Sequence, residues 1–124
     1  MNLSPIKTTP CFKSMPWGGT LLNEQYGKHS TFPVTGESWE AADHFNGKTP
    51  ACGGAYDGMD FSQIIDAMGA DAFLGRKTTS GHFPLLFKLI DAREKLSVQV
   101  HPNDEYAKRD GDLGKTEMWI VLQS

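Results

Sequence analysis

Three polar side chains alternate with apolar ones in residues 96–101, whose sequence is LSVQVH. In an extended strand successive side chains point to opposite faces, so Ser97, Gln99 and His101 would share one face and the apolar residues the other. A hydroxyl, an amide and an imidazole on one face can bind a metal ion or a polar ligand. The segment therefore predicts a strand with a coordinating face, ended by Pro102.

A second segment can supply the complementary charge. Glu117 begins residues 117–123, EMWIVLQ, and Lys115 lies two positions before it. If this segment is a strand beside residues 96–101, a histidine, a carboxylate and an amide oxygen meet around one cation. Imidazole and carboxylate together suit zinc or another divalent first-row metal, with Gln99 as a neutral oxygen ligand. A metal so bound remains a Lewis acid toward a substrate carbonyl or hydroxyl.

A purely structural explanation fits the same residues. A histidine that ends a strand before proline is commonly an exposed turn residue, and Gln99 fits the outer face of a half-exposed sheet. Lys88 interrupts the apolar run FPLLFKLI, which fits an edge strand with the ammonium in water better than an anion contact. The spacing alone leaves the metal site and the structural explanation open. The tryptophans are predicted to lie in the core: Trp17, Trp39 and Trp119.

The elements that position these residues change character along the chain. Up to about residue 58, prolines and glycines leave room only for short strands, of which residues 37–43, ESWEAAD, are the clearest. A helical insertion over about residues 60–74 follows, with Asp60 and Gln63 as a capping box and Gly69 as the stop. We expect this helix to pack on a sheet as scaffold.

After the helix the apolar residues recur at every second position. Residues 85–91, 96–101 and 117–123 are rich in strand-forming residues and are separated by polar turns. The pattern favours a mainly β fold. With 124 residues and no linker or internal repeat, the chain is expected to form a single domain over residues 1–124.

Composition excludes several classes of function. A formal net charge of -3 gives no basic surface, so neither nucleic acid nor an anionic membrane is an expected partner. No segment is apolar enough to cross a bilayer, and the first residues lack a signal-peptide core, so we expect a cytoplasmic protein. Cys11 and Cys52 have no metal-binding spacing and are expected to be free thiols.

Two longer segments resemble a known family. Residues 83–107, FPLLFKLIDAREKLSVQVHPNDEYA, and residues 114–122, GKTEMWIVL, resemble type I mannose-6-phosphate isomerases, which are zinc enzymes of the cupin superfamily. The earlier segments WGG and GESWE also look like family segments, so the resemblance extends from about residue 17 to residue 122. It implies a cupin-type jelly-roll barrel, here incomplete.

The resemblance also implies roles for individual residues. The implied zinc ligands are Gln99, His101 and Glu117. The residues implied to face the substrate pocket are Ser97, Lys88 and Lys115. Lys88 and Ser97 would recognise the phosphate, and Lys115 is a candidate for proton transfer or for holding the phosphate. The family interconverts mannose 6-phosphate and fructose 6-phosphate by moving a proton between C1 and C2 through a cis-enediol.

This chain departs from the family in length. Members are considerably longer, and they take a fourth metal ligand, a histidine, and a substrate-facing arginine from later residues; no histidine follows His101 here. We therefore expect weak or no isomerase activity from this chain alone, and self-association through an unpaired strand at residues 117–123. The alternatives are a non-catalytic cupin module that binds a metal or a sugar phosphate, and another cupin enzyme.

Overall fold

Two antiparallel sheets and short helices make up the fold. The computed structural model describes residues 4–75 and 81–124. Its strands are β1 Cys11–Lys13, β2 Glu37–Ala41, β3 Asp43–His44, β4 Gly47–Lys48 and β5 Phe87–Ile90. Its helices are α1 Leu21–Glu24, α2 Phe61–Met68, α3 Ala70–Leu74 and α4 Asp104–Ala107, with short 3-10 helices at Gly54–Tyr56 and Lys108–Asp110.

The main sheet has the order β1-β2-β5, with β2 in the centre. Cys11 of β1 and Lys88 of β5 both pair with Trp39, and the register shifts by a bulge after this residue. Because antiparallel partners project to the same face, Glu37, Trp39 and Lys88 share one face of the sheet. The predictions of strands within residues 37–43 and 85–91, and of only short strands before residue 58, are confirmed.

The WGG segment lies where three parts of the chain cross. Gly19 O accepts a hydrogen bond from Thr35 N at 2.9 Å, and Gly36 O accepts one from Asp91 N at 2.9 Å. A side chain at Gly18 would place its Cβ 2.5 Å from the backbone nitrogen of Gly36. Glycine at this position is therefore required by the close approach of two backbones.

The buried carboxylate of Asp91 occupies the same crossing. Its Oδ2 accepts a hydrogen bond from Leu21 N, the first residue of α1, at 2.7 Å. A Cβ on Gly19 would lie 2.6 Å from that oxygen, so glycine leaves the space that the carboxylate fills. The carboxylate satisfies a backbone donor that the helix itself leaves unpaired.

Helix α2 begins and ends where the sequence predicts. Asp60 Oδ1 accepts from Gln63 N at 3.0 Å, and Gln63 Oε1 accepts from Asp60 N at 2.9 Å, which is the complete capping box. Gly69 follows with a positive φ of 87°. Phe61 and Ile64 are buried against Ala51, with Ala41 at the end of β2 packed alongside. The predicted helical segment over residues 60–74 is confirmed, with α3 as its second part.

Residues 96–101 and 117–123 form no strand, so the two strands predicted there are wrong for this structure. A strand needs a neighbour that takes up its backbone hydrogen bonds, and none of the described strands lies beside either segment. Their apolar side chains are consequently exposed: Val98 by 100%, Val100 by 93% and Ile120 by 72%. Trp119 is 54% exposed, so the expectation of a core position was wrong for it, whereas Trp39 is buried.

The fold agrees with the expected class only at the level of sheets with a helical insertion. The strands among residues 4–75 and 81–124 form two separate open sheets, and the jelly-roll barrel remains a prediction. None of the helices in the described ranges is long and apolar enough to cross a membrane. Cys11 and Cys52 are both free thiols, as expected.

Candidate metal and substrate site

His101 and Glu117 are brought together by the folded loop between them. Asn103 begins α4, where its Oδ1 accepts from Tyr106 N at 2.9 Å, a common N-cap. Asp104 Oδ1 then accepts from Gly114 N at 3.0 Å, and Lys115 N donates to Pro102 O at 3.0 Å. These bonds fold the chain back, so that residues 115–117 lie beside residues 101–102.

The approach of the two arms of this loop depends on Gly114. A Cβ at this position would lie 2.5 Å from both the backbone nitrogen and Oδ1 of Asp104. No L side chain fits there without moving the loop. The GKTE segment thus has a structural reason for its glycine that sequence reasoning did not detect.

The ring nitrogen Nε2 of His101 is hydrogen bonded to Oε2 of Glu117. Lys115 Nζ lies 3.4 Å from the other carboxylate oxygen, Oε1. The side chains of His101, Glu117 and Lys115 are 27%, 22% and 41% exposed, so the group is reachable from solvent. Of the histidine, carboxylate and amide oxygen predicted to meet, the histidine and the carboxylate are in contact, with Lys115 beside them.

The charge of Glu117 is stabilised by its neighbours. Partial burial opposes ionisation, but the hydrogen bonds from His101 and Trp119 and the charge of Lys115 outweigh it and hold the pKa of Glu117 below its ordinary value. The ionised form is the one in which a carboxylate binds a metal ion.

Gln99 and Ser97 point the same way, as the alternation predicts. Gln99 Nε2 donates to Ser97 Oγ at 3.2 Å, and both residues are exposed. In the part of the chain that the structure describes, no hydrogen bond joins either of them to His101 or Glu117. The amide that was predicted as a metal ligand is turned toward the neighbouring hydroxyl of Ser97.

Among residues 4–75 and 81–124, no cluster of three or more histidine, cysteine, aspartate or glutamate side chains could hold a metal ion. His101 and Glu117 supply one imidazole nitrogen and one carboxylate oxygen, and the resemblance implies an amide oxygen from Gln99 as the third ligand. This donor set fits zinc by type. It amounts to three protein ligands at most.

Lys88 lies apart from this group. It is on the edge strand β5, as expected, but its ammonium is not in water: Nζ donates to Glu37 Oε1 at 3.0 Å, and the side chain is only 17% exposed. The expectation of a solvated head group was wrong, because the central strand β2 presents a carboxylate to it. Sequence reasoning did not predict the contact of Glu37 with Lys88 and Trp39. The available signal was the alternation of Glu37 and Trp39 in GESWE, which places both on one face of a strand.

Two open cavities adjoin His101. One of about 260 Å³ is lined by Asn103, Asp104, Lys115 and Thr116 besides His101. The other, of about 310 Å³, has Val100 and Tyr106 in its wall. Small-molecule sites combine a mostly apolar, concave wall with a few convergent polar groups, and these open cavities supply polar groups of that kind at His101 and Lys115.

Comparison with known proteins shows to which family the chain belongs. Residues 6–118 match the family model described as phosphomannose isomerase type I, catalytic domain. The chain belongs to the type I phosphomannose isomerase family. The match includes the segments that carry Lys88, Gln99, His101 and Glu117.

Individual mannose-6-phosphate isomerases are also similar to this chain. The chain is 40% identical to mannose-6-phosphate isomerase ManA of Bacillus subtilis over 98% of its own length and 38% of that protein. It is 39% identical to mannose-6-phosphate isomerase of Streptococcus mutans, covering 87% of this chain and 34% of that protein. The crystal structure of the mannose 6-phosphate isomerase from Bacillus subtilis superposes with a TM-score of 0.81 at 37% identity, over 90% of this chain and 35% of that one.

The chain therefore spans somewhat more than a third of the length of these relatives. The TM-score of 0.81 over 90% of this chain shows that its overall fold is that of the matching part of the Bacillus subtilis structure.

Proposed function

We propose that this chain provides the zinc-binding and sugar-phosphate-binding part of a mannose-6-phosphate isomerase. The observation that supports this most directly is the contact of His101 with Glu117, with Lys115 beside them, inside a region that matches the family over residues 6–118. The relatives named as mannose-6-phosphate isomerases supply the substrate class. A cytoplasmic location and a single domain remain predictions.

The proposed chemistry is the movement of a proton between C1 and C2 of a hexose 6-phosphate. Gln99, His101 and Glu117 would hold the zinc ion. Bound zinc supplies a Lewis acid that polarises the sugar oxygens. Lys115, an ammonium 3.4 Å from Glu117, would donate to substrate oxygens and take part in proton transfer. Ser97 adds a hydroxyl on the side of Gln99.

By itself the chain should be a weak isomerase or none. The resemblance implies that the family takes a fourth metal ligand and a substrate-facing arginine from later residues, and this chain spans 38% of the length of its ManA relative. The same observation favours a second function: a non-catalytic module that binds zinc or a sugar phosphate. Exchange of the C2 proton with solvent, followed by NMR in deuterated water, separates the two, since only an isomerase promotes it.

Zinc content is the first test. Elemental analysis of the purified chain should give close to one zinc per chain, and His101→Ala and Glu117→Ala should each reduce it strongly. The matched controls are His29→Ala and Glu105→Ala, which remove the same side chains from exposed positions. Equal zinc in the chain and in all four variants would exclude the proposed site.

A second copy of the chain is the proposed protein partner. Residues 96–100 and 118–123 contain no charged side chain, and their backbones lack a strand partner among the described residues. Two copies could pair along these segments without placing like charges together.

A further inference from the structure

The ion pair between Lys88 and Glu37 changes what Lys88 can recognise. The two residues are diagonal neighbours on one face of β5 and β2, with Nζ 3.0 Å from Oε1 and side-chain exposures of 17% and 14%. Glu37 is the one hydrogen-bond partner of this ammonium in the described part of the chain. An ammonium has three donors, so two remain for a ligand.

The carboxylate of Glu37 is held at both oxygens. Oε1 accepts from Lys88, and Oε2 accepts from Trp39 Nε1 at 2.6 Å. Trp39 is buried and pairs with Lys88 in the sheet register. The hydrogen bond from the buried Trp39 therefore holds the carboxylate of Glu37 beside Lys88.

A phosphate dianion and an uncharged sugar oxygen experience this pair differently. The pair has no net charge, and a phosphate that touched Lys88 Nζ would also lie close to the fixed carboxylate of Glu37. In a partly buried setting that repulsion is poorly screened. A hydroxyl or carbonyl oxygen accepts a hydrogen bond from the same ammonium without repulsion.

Lys115 differs in this respect. Its neighbour Glu117 is a proposed zinc ligand, so the negative charge beside Lys115 would be shared with the metal, whereas Glu37 has no such second role. Lys115 is also more exposed, at 41%. The two lysines thus offer different electrostatic environments to one substrate.

We propose that Glu37 is a specificity-determining residue: by pairing with Lys88 it makes this lysine a donor to an uncharged oxygen of the sugar and excludes the phosphate group. The inference rests on the proposed function for the presence of a sugar phosphate. It departs from the expectation that Lys88 recognises the phosphate.

The test measures how fast single lysines are acylated by a small N-hydroxysuccinimide ester, read by peptide mass spectrometry, with inorganic phosphate or fructose 6-phosphate present. At about ten times its dissociation constant a ligand leaves roughly one site in ten free, so a contacted lysine should react about tenfold more slowly. Fructose 6-phosphate should slow Lys88, and inorganic phosphate should not. Exposed Lys95 should respond to neither ligand.

Two variants test whether the charge of the Glu37 carboxylate keeps phosphate away from Lys88. In Glu37→Gln, inorganic phosphate should now slow the acylation of Lys88, because the repelling charge is gone. The matched control is Glu40→Gln, which breaks a similar ion pair on the same strand, where Lys28 Nζ lies 2.7 Å from Glu40 Oε2. This control should behave like the unsubstituted chain.

Three outcomes would overturn the inference: slowing of Lys88 by inorganic phosphate in the unsubstituted chain, no slowing by fructose 6-phosphate, or the same pattern in Glu37→Gln as in the unsubstituted chain. The proposed isomerase activity is judged separately, by zinc content and by C2 proton exchange. A failure at Lys88 with intact zinc binding and exchange would remove only the role of Glu37.

Discussion

At the scale of residues, the site is a set of contacts made by a loop whose own bonds determine the positions of the functional groups. His101 and Glu117 are 16 positions apart in the sequence, and the hydrogen bonds of Asp104 and Lys115 bring them together. The sequence indicated candidate residues because a hydroxyl, an amide and an imidazole alternate at Ser97, Gln99 and His101, although this spacing alone left a structural explanation open. The role of Gly114 was not predictable, because it depends on a distance between two backbones.

Substituting Gly114 by alanine should loosen the site. The new Cβ would have to move the backbone at Asp104, and such overpacking costs about 1 to 3 kcal/mol. We expect a lower melting temperature and reduced zinc content, measured by calorimetry and elemental analysis. Gly81→Ala is the control, since its Cβ would meet nothing within 4 Å. Unchanged zinc content in Gly114→Ala would show that the loop does not position the site.

At the scale of elements, the cap of α2 also ties the β3–β4 hairpin to the helix. Lys48 Nζ lies 2.7 Å from Asp60 Oδ2 and 3.1 Å from Asp43 Oδ1. The hydrogen bond from Lys48, together with those from Gln63 and Ser62, lowers the pKa of Asp60 from 3.8 despite partial burial. The ionised carboxylate thus stabilises both the cap and the hairpin contact.

Removing this side chain should destabilise the fold. Asp60→Ala loses the cap and should lower the free energy of unfolding by about 1 kcal/mol in urea denaturation. Asp60→Asn keeps a capping oxygen and loses only the charge, so its effect should be smaller. Equal losses in the two variants would mean that the charge, not the cap, matters.

The effect of the charge should depend on pH in a defined direction. Because the pKa of Asp60 is lower in the folded chain, its ionisation stabilises the fold fully above its ordinary value of 3.8, and this contribution disappears as the pH falls through the lowered value. The stability difference between the unsubstituted chain and Asp60→Asn should therefore be constant near neutral pH and shrink in acid. A difference that grows on acidification would contradict this assignment.

The elements also show where sequence reasoning works. Helix α2 was predictable to the residue because its capping box and its glycine stop are local signals. Strand β5 was predictable because its partner β2 is present. Residues 96–101 and 117–123 have equally strong strand patterns, yet strand formation depends on a partner, and the pattern cannot show whether one is there. The ion pair of Lys88 was missed because Glu37 is remote in sequence.

At the scale of the whole molecule, the exposed apolar residues are concentrated at residues 85–87, 96–100 and 118–122. Single exposed apolar residues are ordinary, but a concentration of this kind is typical of a surface that another polypeptide covers. The molecule thus combines a well-packed first part with a second part whose backbone and apolar side chains lack partners among the described residues.

Self-association should follow from this surface. The average mass measured by light scattering after gel filtration should rise with protein concentration. Val98→Lys and Ile120→Lys should each lower it toward that of the monomer, because a buried lysine in the contact is unfavourable. Phe45→Lys is the control: Phe45 is 80% exposed at the tip of the β3–β4 hairpin, away from these segments. A mass that stays monomeric at every concentration would rule out the second copy as partner.

The contacts of the WGG segment and Gly36 with residues 91–93 have a consequence for the order in which the chain folds. The bonds that join Trp17 and Gly36 to residues 91–93 link parts of the chain that are about 55 to 75 positions apart. During synthesis from the N-terminus, α2 can form as soon as its own residues have emerged. Strand β2 can pair with β1 early, but it gains its second partner only when β5 has emerged. Until β5 has emerged, the central strand β2 keeps one unpaired edge, which is a site where another chain can pair.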